Sequence, residues 1–353
     1  MSKHCFLLLL ATCLCACQPK ASPEAPATIV DAPADAAEGG ALSGGPVIPF
    51  TPRPDLLEGK EWPAAKVASG DASISCDLDY AASGDGEPLL DLSHDSVLAA
   101  LKPCQEAGIV RLRYKGKIAT DFTALVERVA NMAGRLDIDR HVLDLDSSGG
   151  HVEDAMKAGD SIGASRWTLW VRDDSSCHSA CVLILAAGDS RQIAGKVGIH
   201  RMIRVDSTAS TRAELSQELR EVHAQMKEYL ERNGASVAVA DLMMTVPNRK
   251  LRLLGEDELQ AYGLDGTNAV QDDLERIVLT RKCGEDFVRR KDDFSRAFDR
   301  ECAQPGKAVE EVDECASGLE QRFGFPDPQC PGDSPLSWQE ASGIHVTGQS
   351  GVK

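Results

Sequence analysis

Ser147-Ser148-Gly149-Gly150, Cys177-His178-Ser179-Ala180-Cys181 and Gly198-Ile199-His200-Arg201-Met202 fall within one stretch, from Asp146 to Met202. The first run receives an apolar strand-like segment, His141-Val142-Leu143-Asp144-Leu145-Asp146. Ser179 stands 29 residues after Gly150, and His200 stands 21 residues after Ser179. A glycine pair lets backbone run close to a bound group. A serine hydroxyl attacks only when a base takes its proton and donors stabilise the oxyanion. Imidazole titrates near neutral pH, as such a base must. At a strand-to-helix turn, the first N–H groups of the helix favour developing negative charge. Singly, these are a helix cap, a turn and a structural histidine. Together they read as oxyanion donors, nucleophile and base.

The surrounding pattern predicts an α/β domain. Ile109-Val110-Arg111-Leu112-Arg113-Tyr114 alternates like a strand. Phe122 to Met132 has helical spacing at Phe122, Leu125, Val126 and Val129, and His151 to Ile162 carries Val152, Ala155, Met156 and Ile162 on one face. Trp167 to Val171 reads as a strand, Ser179 to Ala186 as a short apolar helix, and Gln192 to His200 as further strand. Alternating β and α segments imply a layered α/β fold. Thr211 to Arg232 is the clearest helix: Thr211 with Glu214 makes a capping box, and Asn233-Gly234 stops it.

The order and both spacings resemble the proteolytic subunit of the Clp protease and, more loosely, signal peptide peptidase and the crotonases. That subunit carries its nucleophile in a Gly-x-Ala-Ser-Met-Gly segment and its base in Met-Ile-His-Gln-Pro. Its Glu-Ala-x-x-Tyr-Gly-Leu-x-Asp ending resembles Asp257-Glu258-Leu259-Gln260-Ala261-Tyr262-Gly263-Leu264-Asp265. The resemblance covers about 140–268. It implies a spiral of ββα units, with Ser179 as nucleophile, His200 as base and the Gly150 and Ala180 N–H groups as oxyanion donors. The Gly149-Gly150 loop would pair with substrate backbone as an added strand. The reaction implied is acyl transfer to Ser179 and hydrolysis of a peptide or protein substrate, with no cofactor and no metal. Relatives of this fold form rings or trimers, so a homo-oligomer is expected.

Two departures stand out. Cys177 and Cys181 replace the flanking glycines, and a disulfide between them would restore the rigidity lost. Each cysteine could equally pair with Cys76 or Cys104. The family's Asp, eleven residues before the Tyr of Tyr-Gly-Leu, falls on Leu251. Asn248 is the nearest substitute and Asp241 a more distant one; otherwise a Ser–His dyad remains. His178 reads as a surface neighbour. The missing carboxylate keeps a second function open: an inactive scaffold binding peptide or envelope components in the same groove.

The N-terminus gives the expected compartment. Lys3 and His4 precede an uncharged apolar run from Phe6 to Ala16, a secretory signal too short to span a bilayer. Leu14-Cys15-Ala16-Cys17 matches the bacterial lipoprotein processing box, which implies cleavage and lipidation at Cys17. Residues 1–17 are thus read as the signal peptide. Gln18 after the lipidated cysteine favours the outer membrane, facing the periplasm. Residues 18–70 hold nine of the 17 prolines and read as a disordered linker. The expected domain spans 72–275, and 276–353 is a charged extension with four cysteines, either packed on the domain or a separate module.

The formal charge is −17, and Lys3 is the only charged residue in 1–17, so the chain without them carries −18. That acidity argues against nucleic acid as a partner. Beyond Cys17, eight cysteines remain: Cys76, Cys104, Cys177, Cys181, Cys283, Cys302, Cys315 and Cys330. An even set in an exported chain predicts up to four disulfides, with connectivity unreadable. The last four lack the Cys-x-x-Cys knuckle typical of zinc.

Overall fold

A computed structural model describes residues 29–31, 42–43, 57–304 and 308–336. Two short N-terminal strands, β1 (Ile29–Asp31) and β2 (Leu42–Ser43), precede the main domain. Then follow β3 (Gly70–Ser75), α1 (Tyr80–Ser83), β4 (Glu87–Pro88), α2 (His94–Leu101), β5 (Ile109–Gly116), α3 (Thr120–Arg135), β6 (Arg140–Asp146), α4 (Val152–Ser165) and β7 (Trp167–Val171). The site region continues with β8 (Ser176–His178), α5 (Cys181–Ala186), β9 (Ser190–Ile193), β10 (Lys196–Ile199) and β11 (Ile203–Arg204). The rest comprises α6 (Arg212–Arg232), α7 (Ala238–Thr245), β12 (Lys250–Leu253), α8 (Glu256–Ala261), β13 (Gly266–Thr267), α9 (Ala269–Cys283), α10 (Glu285–Glu301) and α11 (Val309–Phe323).

The α/β expectation holds. The main sheet has the order β13-β9-β7-β6-β5-β3-β4. Its centre, β5, β6, β7 and β9, is parallel, while β3, β4 and β13 are antiparallel to their neighbours. β5 is buried along most of its length. Val110, Leu112 and Tyr114 join a core with Phe122, Leu143 and Leu169. Arg111 and Arg113 occupy the alternate positions. Arg113 Nη1 lies 2.5 Å from Asp144 Oδ1 of β6, Arg111 Nη1 lies 3.7 Å from Oδ2, and Arg172 pairs with the same carboxylate. Buried charge persists only when paired, so this register is fixed from both faces.

A second sheet, ordered β1-β12-β10-β8, carries the site. β8 and β10 are parallel, with Cys177 opposite Val197 and His178 opposite Gly198. The segment Gln192 to His200 is therefore not one strand. The N–H groups of Ala194 and Gly195 both turn back to the Val171 carbonyl, at 2.9 and 3.0 Å. That turn ends β9 in the main sheet and starts β10 in the second. β2 and β11 form a third, two-stranded parallel sheet.

α6 starts with the expected capping box, Thr211 with Glu214. The domain begins earlier than residue 72: Trp62 and Val67 are buried in the main core. Part of the expected linker is likewise structured, since β1 and β2 lie within it; the rest, up to residue 56, lies outside the described residues. The boundary expected at 275 falls inside α9. α9 to α11 form a helical module with its own core of Phe287, Phe294, Leu319 and Phe325. Two disulfides pin it, Cys283–Cys330 and Cys302–Cys315. The signal and lipidation expectations at 1–17 lie outside the described residues. Among those residues, no helix is long and apolar enough to cross a membrane.

Candidate active site

Past β6 the chain pairs briefly with β8. Ser147 N–H donates to the Ser176 carbonyl at 2.7 Å, and His178 N–H donates to the Ser147 carbonyl at 2.9 Å. Gly149-Gly150 then passes Ile118: the Gly149 carbonyl accepts from Ile118 N–H at 2.8 Å, and the Ile118 carbonyl accepts from His151 N–H at 2.8 Å. Neither glycine tolerates a side chain. Gly149 has φ +106°, and a Cβ there would stand 2.6 Å from Ser179 Cβ. Gly150 has φ +151°, and its Cβ would stand 2.1 Å from the Ile118 carbonyl oxygen. The expected close approach is therefore made first to the protein's own Ser179.

Ser179 occupies the turn between β8 and α5 with φ +60°. A non-glycine residue there is uncommon and strained, by about 1–3 kcal/mol. Its N–H donates to the Gly198 carbonyl at 2.7 Å. Cys177 and Cys181 form a disulfide that brackets it. The five-residue ring they close spans Ser179, and the pairing resolves the question of these two partners. Cys76 pairs instead with Cys104. Ser179 is fully buried, and its Oγ makes no hydrogen bond among the described residues. Among the same residues, the N–H groups of Gly150 and Ala180 have no hydrogen-bond partner either.

His200 follows β10 and is fully buried. Its Nδ1 lies 3.2 Å from the Arg201 carbonyl oxygen. Asn248 Nδ2 donates to that same oxygen at 2.9 Å and lies 3.4 Å from His200 Nδ1. The tautomer with Nδ1–H donating to the Arg201 carbonyl leaves Nε2 as the lone-pair nitrogen, the form a general base needs; in the other tautomer Nδ1 accepts from Asn248 Nδ2. Nε2 makes no hydrogen bond among the described residues. Burial pushes the His200 pKa below its ordinary value, and the hydrogen bond to Arg201 opposes this only in part.

No side-chain carboxylate bonds to His200 among the described residues. Leu251 is a buried strand residue, and its Cδ1 packs over Gly198. Asp241 is exposed and pairs with His223 at 2.8 Å and Lys227 at 3.1 Å. Asn248 does meet His200, but acts on the Arg201 carbonyl more than on the ring. That carbonyl is the orienting group sequence reasoning missed; every residue has one, so no sequence signal marks it. His178 is also not a surface neighbour. It is buried, with its ring beside Gly198.

No family model and no curated protein matches the chain. Among solved structures, the chain is similar to a mutant of a membrane-bound stomatin-specific protease. The likeness has 16% identity and a TM-score of 0.35, and covers 47% of this chain and 82% of that one. At that level it assigns neither family nor activity.

Proposed function

We propose that this chain is a serine peptidase built on a Clp-protease-like or crotonase-like spiral of ββα units, exported and held at the bacterial cell envelope by lipid on Cys17. The observation that carries the chemistry is Ser179: a buried serine at φ +60°, clamped by a disulfide, whose N–H is bonded into the strand that leads to His200. A strained, exactingly held nucleophile is the geometry that acyl transfer requires. His200 Nε2 takes the Ser179 proton as Oγ attacks a peptide carbonyl. The Gly150 and Ala180 N–H groups receive the oxyanion. The imidazolium then protonates the leaving amine, and water repeats the sequence on the acyl-enzyme. Asn248 and the Arg201 carbonyl orient the ring, in place of an acid. The substrate is an extended peptide, and the working unit a homo-oligomer.

The test is a fluorophosphonate probe on the purified chain with disulfides intact, beside its Ser179→Ala variant. Labelling of the parent alone supports the reading. A folded parent that takes no label removes constitutive hydrolysis. The second reading, a peptide-binding scaffold without catalysis, is favoured by one observation: among the described residues no carboxylate bonds to His200.

A further inference from the structure

Next to the segment that carries His200 lies a cavity of about 310 Å³ that the proposed chemistry does not use. Three elements converge on it. α6 supplies Leu219, Arg220 and His223, α7 supplies Asp241 and Met244, and the residue after His200 supplies Arg201. Leu219 and Met244 are half-buried against the main core and give the cavity its apolar part. The charged groups differ in their commitments. Asp241 is taken within the chain, 2.8 Å from His223 Nε2 and 3.1 Å from Lys227 Nζ. Arg201 and Arg220 are exposed, and among the described residues neither makes an ion pair. Arg220 Nη2 donates to the side-chain oxygen of Gln217, a neutral acceptor, at 2.6 Å.

The two arginines are not left over for want of acids, since the chain holds 55 Asp and Glu against 38 Lys and Arg. A guanidinium offers a planar fork of donors that matches a carboxylate. Two of them on one cavity, beside a leucine and a methionine, fit a carboxylate with an apolar stem. The volume lies at the lower end of the range for ligand pockets, so the stem is short. The placement also ties the cavity to His200. Arg201 N–H donates to the Val246 carbonyl at 2.9 Å. The Arg201 carbonyl accepts from Asn248 Nδ2 at 2.9 Å and lies 3.2 Å from His200 Nδ1. The residue whose side chain lines the cavity is therefore the one whose backbone meets the proposed base.

We propose that this cavity binds a carboxylate carried on a short apolar stem, with Arg201 and Arg220 on the carboxylate and Leu219 and Met244 along the stem. The C-terminal residue of a peptide is the source to which we assign it, and only that assignment rests on the proposed function. A free aliphatic acid has the same chemistry, and the experiment separates the two.

The full chain is titrated with N-acetyl-leucine, N-acetyl-leucinamide and hexanoate, and binding is read by saturation-transfer NMR. Arg201→Gln and Arg220→Gln are the variants. Arg249→Gln is the control, because Arg249 is exposed, makes no ion pair among the described residues and does not line the cavity. N-acetyl-leucine should bind, and its amide at least tenfold more weakly. Each variant should weaken N-acetyl-leucine by about tenfold, the loss of one charge-assisted contact, and the control should leave it unchanged. The cavity is not a carboxylate site if the amide binds as well as the acid, if none of the three ligands binds, if both variants bind like the parent, or if the control loses as much as they do. Hexanoate binding more tightly than N-acetyl-leucine upholds the carboxylate site and overturns the peptide assignment. Fluorophosphonate labelling of the same samples keeps the two proposals apart. Binding beside an unlabelled Ser179 upholds the cavity and removes the hydrolase reading, whereas labelling without binding removes the cavity alone.

Discussion

The Ser179 amide donates to the Gly198 carbonyl at 2.7 Å, two residues before His200. One backbone hydrogen bond thus joins the turn of the proposed nucleophile to the strand of its proposed base. The relation holds in register, because His178 and Gly198 are opposite residues of parallel strands. Movement of either strand would separate the pair.

The strain at Ser179 makes function and stability oppose each other. Ser179→Gly should abolish fluorophosphonate labelling while raising unfolding stability by about 1 kcal/mol, since glycine adopts φ +60° without penalty and removes a buried, unbonded hydroxyl. Urea denaturation beside the Ser179→Ala variant checks this. Should the glycine variant prove less stable than the alanine one, the strain argument fails.

Gly149 should tolerate nothing larger. Gly149→Ala places a Cβ 2.6 Å from Ser179 Cβ at φ +106°, so it should cost about 2 kcal/mol or more and cut labelling by about a hundredfold. Gly134→Ala is the control. It lies in α3 with nothing within 4 Å of its Cβ and should stabilise by about 0.5–1 kcal/mol. Equal effects at the two positions would mean that the close approach to Ser179 is unimportant.

His200 sets a pH dependence. Its folded pKa is depressed by burial, so between that value and the unfolded value of about 6.5 the unfolded chain binds more protons. Its contribution to stability is therefore complete above about pH 6.5 and falls as pH drops through that window. Labelling should keep its rate to below pH 6.5 before declining. Asn248→Asp brings a carboxylate to Nδ1, 3.4 Å away in the parent. It should raise the imidazole pKa and move the acid limb of the labelling profile to higher pH. A profile that stays in place would count against His200 as the base.

The disulfides should separate local from global roles. On a chain-entropy basis, Cys177–Cys181, with a sequence separation of 4, contributes about 2 kcal/mol, and Cys283–Cys330, with 47, about 4 kcal/mol. Replacing Cys177 and Cys181 by Ser should nevertheless eliminate labelling, because the ring holds the Ser179 turn. Replacing Cys283 and Cys330 by Ser should loosen the C-terminal module and leave labelling unchanged. The reverse pattern would place the site under control of that module.

The sequence by itself determined the layered α/β arrangement, because strand and helix periods are local. Alternation over Ile109 to Tyr114 and helical spacing over Phe122 to Met132 correspond to β5 and α3, and Trp167 to Val171 is β7 residue for residue. The Thr211 capping box was equally readable, since all its partners lie within one turn. The order of Gly149-Gly150, Ser179 and His200 was visible as well. Only the tertiary structure decided how they are held. Cys177 pairs with Cys181 across a turn in which Ser179 has a positive φ and donates its N–H to the Gly198 carbonyl. His200 is oriented by a backbone carbonyl, for which no residue type codes. The strands β1 and β2 lie in a segment with little apolar pattern, and they pair through backbone groups supplied by β12 and β11, about 160 to 220 residues away. Contacts between backbones distant in sequence depend on where the sheet edges finally lie, and that is fixed by packing rather than by local composition.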